Sequence, residues 1–234
     1  MSEWWTYRLS DFLMFSPRSY HRLFELMNAE FAAVLWLALA AGAAVLVALA
    51  TNRAHAATLT SVVLALAWCW VGWAFHWQRF ATINWAAAWF AIGFAVEGAL
   101  WALCAAFGAT RCRPAGPAHA LGLGLWLVAL ALHPAIGVLL GRPWSQAQSF
   151  GMAPDPTVLA TLGALLLVTV RGAGPPTRLR RALGVTLWIV PLTWCAIDGA
   201  TLWTLHAPEA WLLPAAGALA VLAAATRERG WPAG

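Results

Sequence analysis

The sequence predicts an all-α polytopic membrane helix bundle of about seven transmembrane helices with an amphipathic N-terminal interfacial helix. Three observations carry that expectation. Of 234 residues, 62% are hydrophobic and only 10% charged, with a mean hydropathy of +0.71. A soluble domain carries roughly 25% charged residues, so this chain has too few to cover a water-facing surface. Its apolar residues fall into long runs at residues 31–50, 57–77, 82–107, 119–140, 156–170, 182–204 and 209–225. Most reach the roughly 20 residues that cross a hydrocarbon core. Tryptophan is abundant, at 17 residues, as an interfacial aromatic belt requires.

The chain divides into three parts: an amphipathic segment over 1–30, one transmembrane helical domain over 31–225, and a short tail over 226–234. In the first part, Ser16-Pro17 is a helix start, with serine as cap and proline at the first helical position. Tyr20, Leu23, Phe24 and Met27 then recur at three- and four-residue spacing and form one apolar face. Trp4, Trp5 and Tyr7 are its expected anchors at the lipid surface. Residues 1–30 mix polar and aromatic side chains, which is not the pattern of a cleaved leader.

The second run opens the question of its tryptophans. Trp70, Trp73 and Trp77 form one helical stripe that suits either a belt or an aromatic cavity. The fifth run is short, since 156–170 rises only about 22 Å as a helix. The segment 143–156 before it is broken by Pro143, Gly151, Pro154 and Pro156, yet carries Trp144, Phe150 and Met152. Such a segment is expected to pack over the bundle as a lid, because irregular backbone is tolerated at membrane depth only inside protein or beside water.

All fourteen cationic side chains are arginines. Without lysine there is no Schiff base for a retinal and no phosphate loop of the Walker type. The net charge of +5 and pI near 9.7 do not point to nucleic acid, because the arginines are scattered over the loops rather than gathered on one face. Their distribution sets orientation instead. With seven spans, Arg8, Arg18, Arg22, Arg79 and Arg142 share the amino-terminal side. Arg53, Arg111, Arg113, Arg171, Arg178, Arg180, Arg181, Arg227 and Arg229 share the other. The richer side is expected in the cytoplasm, which puts the carboxyl terminus inside and the amino terminus outside. The four cysteines, Cys69, Cys104, Cys112 and Cys195, have no paired spacing.

Ionisable groups at membrane depth are where function is usually written, because burying them is costly. The candidates are His76, Glu97, His133, Asp155 and Asp198. His76 closes the second span at its outer, interfacial end, and His133 and Asp198 lie about 10 Å inside the outer ends of their spans. Asp155 stands between Pro154 and Pro156, where it serves either as the cap of the fifth span or as a site residue. Glu97 is near the midplane of the third. Four polar groups in the outer half with one carboxylate beneath them make a vestibule. Glu97-Gly98-Ala99-Leu100-Trp101 also echoes Asp198-Gly199-Ala200-Thr201-Leu202-Trp203, the kind of echo an inverted repeat leaves.

One ordered set of motifs is more specific. It comprises Phe75-His76-Trp77, Ile83-Asn84, Glu97-Gly98-Ala99-Leu100, Phe150 to Thr157, Thr161-Leu162-Gly163 and Ile189 to Trp194. The set resembles the bacterial multi-pass membrane family known as domain of unknown function 6064, from the amino-terminal helix to the seventh span. The resemblance implies the fold and a bacterial cytoplasmic membrane, and supplies no activity. Where that family has a cysteine, a proline and an uncharged residue, this chain has Asp155, Trp85 and Glu97.

Three functions fit these residues. The first is a channel or transporter for a proton, a small cation or a small solute, using Glu97 and Asp198 beneath His76 and His133. The second is a cofactor-binding subunit in which the two histidines hold haem or copper. The third is a structural or assembly protein whose polar groups fasten helices within the lipid bilayer. No nucleophile–base pair or multi-ligand metal motif stands out, so the sequence leans away from an enzyme.

Overall fold

The computed structural model describes residues 14–170 and 178–229. The expected anchors Trp4, Trp5 and Tyr7, and the tail beyond Arg229, lie outside the described residues. Helix α1 spans Pro17–Glu30 and starts where its residues dictate, with the Ser19 amide donating to Ser16 Oγ at 3.1 Å. Its apolar face of Tyr20, Leu23, Phe24 and Met27 is buried against the bundle, with Phe24 stacked on Phe75 at 4.9 Å.

Each of the seven apolar runs is helical. They form α2 (Ala32–Ala50), α3 (Ala56–Trp70, continued by a π-helical stretch Val71–Trp77) and α4 (Ala87–Ala106). A second wide-turn helix follows: α5 (Pro117–Leu127), a π stretch Val128–Leu132, and α6 (His133–Leu139). The last three are α7 (Pro154–Leu167), α8 (Arg178–Thr204) and α9 (Leu212–Arg229). Among the described residues five helices are long and apolar enough to cross a membrane, while Pro154–Leu167 and Leu212–Thr226 are shorter.

Helix α7 is short for a physical reason. Every residue from Pro154 to Leu167 is buried, so it is walled by other helices and has no lipid thickness to match. The segment before it continues the layer: Ala147, Gln148, Ser149, Phe150, Met152 and Ala153 are buried, as the expected lid requires, while Pro143, Trp144 and Ser145 at its start are exposed. Gly151 turns this segment at φ +71°, where an added Cβ would sit 2.9 Å from Ala38 Cβ. Only glycine fits that turn.

The run expected to continue to residue 170 ends at Leu167. Val168–Val170 forms β2 instead and pairs antiparallel with β1 (Thr110–Cys112). This two-stranded clasp ties two connections together at one end of the bundle. At the other end, α1 and the connections after α3, α6 and α8 are tied together. Asn28 donates to the Ser145 and Ala147 carbonyls, Arg79 pairs with Glu30, and Arg142 pairs with Glu209. The helices therefore run alternately up and down.

The tryptophan stripe divides: Trp70 is partly buried and lines an apolar pocket with Val34, Leu37 and Phe150, whereas Trp73 and Trp77 belong to a belt. Trp73 and Trp77 are about half exposed, and Trp36, Trp85, Trp89, Trp144, Trp203 and Trp211 are also exposed. All lie in the half of the bundle nearest α1, the arrangement of an aromatic girdle at one membrane surface.

Candidate functional site

Irregular helix turns place the polar side chains. Pro134 has no amide to donate, and the π stretch Val128–Leu132 falls just before it and hands over to His133. A second π stretch, Val71–Trp77, carries His76; wide turns of this kind recur at functional sites. Gly72 lets that stretch press on α4, where a Cβ would meet Phe94 Cβ at 3.0 Å.

Near the α1 end, α6, α7, α8 and the loop before α9 enclose a small polar cavity of about 20 Å³. Its wall includes His133, Arg142, Gln148, Asp155, Asp198 and Glu209. Room of this size holds one water-sized guest. Asp155 and Asp198 are each only 3% exposed, and their carboxyl groups contact one another. Asp155 does not cap α7: the cap position is Ala153, without a side-chain bond. As the second residue of the helix, Asp155 instead accepts from Trp194 Nε1 at 2.9 Å across the bundle. The prolines on either side leave its carboxylate free to turn inward, because the first helical turn already leaves those amides unpaired.

Two further acceptors face the cavity. Gln148 is 8% exposed and its side-chain oxygen has no hydrogen-bond partner, and Asp198 Oδ1 has none either. His133 Nδ1 lies 3.4 Å from the Gln148 carbonyl, too long for a strong bond but close enough to steady that turn. The mouth is held by Arg142, which pairs with Glu209 and contacts His21 Nε2 of α1 at 2.9 Å. Burial, then the Arg142 charge, pulls the His21 imidazole down to about 4, so it meets the guanidinium as a neutral acceptor.

His76 lies apart from this cavity and is not interfacial. It is fully buried among aromatic rings, with centroids 4.4 Å from Phe94 and 4.9 Å from Trp194. Neither ring nitrogen has a hydrogen-bond partner. Folding the end of α3 under Phe80 removes the water that an interfacial histidine would keep. Trp194 thus touches His76 with its ring and Asp155 with its indole N–H.

Glu97 is also separate. It is fully buried between α4 and α3, accepts from Trp101 Nε1 at 2.9 Å, and leaves Oε2 without a partner. Its neighbour Gly98 permits that packing, since a Cβ there would lie 2.5 Å from Cys69 Sγ. The echo between Glu97 and Asp198 is not repeated in three dimensions. Glu97 bonds the tryptophan four residues on, whereas Trp203 points outward and the tryptophan near Asp198 bonds Asp155.

The structure therefore gathers Asp155, Asp198 and His133, adds His76 through Trp194, and leaves Glu97 deeper and alone. Sequence reasoning missed Arg142, Gln148, Trp194, Glu209 and His21. The signal for Arg142 and Glu209 was available: opposite charges in two connections that the alternation of spans puts at the same end.

The comparison that bears on identity is with protein families. Residues 18–231 match the family described as "Family of unknown function (DUF6064)". The chain belongs to that family. The match runs from the second residue of α1 into the carboxyl-terminal residues, so α1, the cavity and Glu97 all lie inside it. No curated protein and no solved structure matches the chain.

Proposed function

We propose that this member of the family is a multi-pass protein of the bacterial cytoplasmic membrane that moves a proton or a small cation. It crosses seven times, with the amino terminus outside and the carboxyl terminus in the cytoplasm. Five long apolar helices, the alternation of connections between two ends and the one-sided tryptophan belt support the membrane placement. The arginines support the orientation, because Arg79 and Arg142 at the α1 end are neutralised by Glu30 and Glu209.

One observation carries the transport reading. Asp155 and Asp198 are buried in contact, and the arginine nearest the cavity is already paired with Glu209. Two bare carboxylates side by side in a low-dielectric interior repel strongly, so the pair needs a positive guest: a proton or a cation. From there, the polar stations descend. Trp194 links Asp155 to His76, His76 packs on Phe94, and Phe94 is one turn above Glu97 on α4.

The test is flux in proteoliposomes under an imposed proton or sodium gradient. Asp198→Asn is expected to reduce flux by at least about 100-fold while the purified protein keeps its helix content, since removing a required buried charge removes the site. Flux unchanged in Asp198→Asn overturns the reading. Orientation has its own test on Cys112, which sits in β1 at the clasp end. In a variant whose other cysteines are replaced, a membrane-impermeant maleimide is expected to label Cys112 only after the cells are opened. Labelling in intact cells reverses the orientation.

A further inference from the structure

We infer that the Asp155–Asp198 cavity is a binding site for one dehydrated monovalent cation of sodium size, with Gln148 as its neutral ligand and the Arg142–Glu209 pair as its cover. The inference deepens the transport reading and rests on it only for the use to which binding is put.

The cavity presents buried oxygen atoms that have no hydrogen-bond partner. Asp198 Oδ1 and Gln148 Oε1 are both buried and unpartnered, and Gln148 is itself more than nine-tenths buried. Unmet acceptors of this kind are costly and call for a guest. Three guests compete. A water bonds both oxygens but leaves the charge of the carboxyl pair uncompensated. A proton shared by Asp155 and Asp198 relieves their repulsion but leaves Gln148 Oε1 without a partner. A small cation answers both demands at once, because hard cations take several oxygens together, from carboxylates and amide carbonyls alike.

The same wall argues for a single charge. Arg142 lines the cavity, and its guanidinium opposes a divalent ion twice as strongly as a monovalent one. Glu209, the third carboxylate, is held by Arg142. Among the described residues, no three histidine, cysteine, aspartate or glutamate side chains converge as a metal-binding group. A calcium site asks for six to eight oxygens, commonly several of them carboxylate. Here two carboxylates and one amide suit a weakly held monovalent ion. The volume of about 20 Å³ leaves no room for its hydration shell, so the protein oxygens replace the water.

The experiment needs no flux. The purified full-length protein is titrated at fixed pH and constant ionic strength with sodium chloride against choline chloride. Melting temperature and tryptophan fluorescence are followed, since Trp194 donates directly to Asp155. Sodium is expected to raise the melting temperature saturably and to change the fluorescence; choline is expected to do neither. Gln148→Leu keeps the side-chain bulk and removes one ligand, and is expected to weaken sodium about tenfold, the loss that goes with one bond to a charged group. Asp198→Asn is expected to abolish the response, with circular dichroism confirming that both variants fold. Equal behaviour in sodium and choline overturns the inference, as does tighter binding of calcium or an unchanged response in Gln148→Leu. Sodium binding without flux removes the transport reading and leaves the site. Flux that depends on Asp198 without any sodium response removes the site and leaves transport, with a proton as the guest.

Discussion

Glu97→Gln is expected to abolish proton or cation flux while leaving the folded protein intact. Glu97 lies ten residues into α4, about 15 Å along the helix from the end that carries the polar cavity. The Asp155–Asp198 pair is shallower, since Asp198 is six residues, about 9 Å, from the end of α8. On the proposed transport reading, a charge entering at the pair needs a second polar stop to reach the opposite face. Among the described residues Glu97 is the remaining fully buried carboxylate. Its Oε1 is occupied by Trp101, and its unpartnered Oε2 is the atom left to take up and release a proton. The amide keeps the volume and an acceptor for Trp101, so the substitution removes ionisation and little else. If Glu97 only braces Trp101 within α4, glutamine serves equally well, because its amide oxygen still accepts from the indole N–H. Flux assays on reconstituted protein decide between the two. Undiminished flux in Glu97→Gln confines the mechanism to the cavity and makes Glu97 a structural group.

The helices were legible because their cause is local. An apolar run of the right length has one stable form in lipid, and Ser16-Pro17 sets the start of α1 through its own side chain and ring. Where the structure departs, the cause is distant in sequence. The fifth run stops at Leu167 because Val168, Thr169 and Val170 find a partner strand at Thr110–Cys112, and a ladder between two connections leaves no periodicity to read. Three consecutive β-branched residues were the available hint. The site follows the same division. Asp155, Asp198 and His133 were legible one at a time, since a polar group in an apolar run stands out. Their convergence was not, because it depends on which helices surround α7. Asp155 was open to a capping role because a proline-flanked aspartate before a helix usually caps it. Trp194, on another helix, supplies the partner that turns it inward. His76 misled through its position at the end of a run, where only the packing of Phe80, Phe90 and Trp194 around it shows that it is closed off from water.

Because α7 carries Asp155 at its start, whatever seats α7 also sets the site, and the contact that seats it most closely is glycine on glycine. A Cβ added at Gly163 of α7 would lie 2.6 Å from the Gly122 carbonyl oxygen and 3.2 Å from the Trp126 amide of α5. In the reverse direction, a Cβ at Gly122 would lie 2.8 Å from the Gly163 carbonyl oxygen. Both obstacles are backbone, which cannot swing aside as a side chain does. Gly163→Ala therefore forces the helices apart, with a cost of ~1–3 kcal/mol on the scale of overpacked cores. The loss exceeds the methyl group's own clash, because small residues are what let membrane helices approach and gain van der Waals contact. Gly124→Ala on α5 is the matched control, since nothing lies within 4 Å of its added Cβ. There the change is expected to be neutral or to stabilise by up to ~1 kcal/mol, the usual helical advantage of alanine over glycine. Thermal denaturation of both variants beside the parent checks the pair. A Gly163→Ala protein as stable as the parent shows that α5 and α7 separate without cost and that the seating of Asp155 does not depend on this contact. A lowered melting temperature for Gly163→Ala alone, together with weaker sodium binding, ties the site to the helix crossing beneath it.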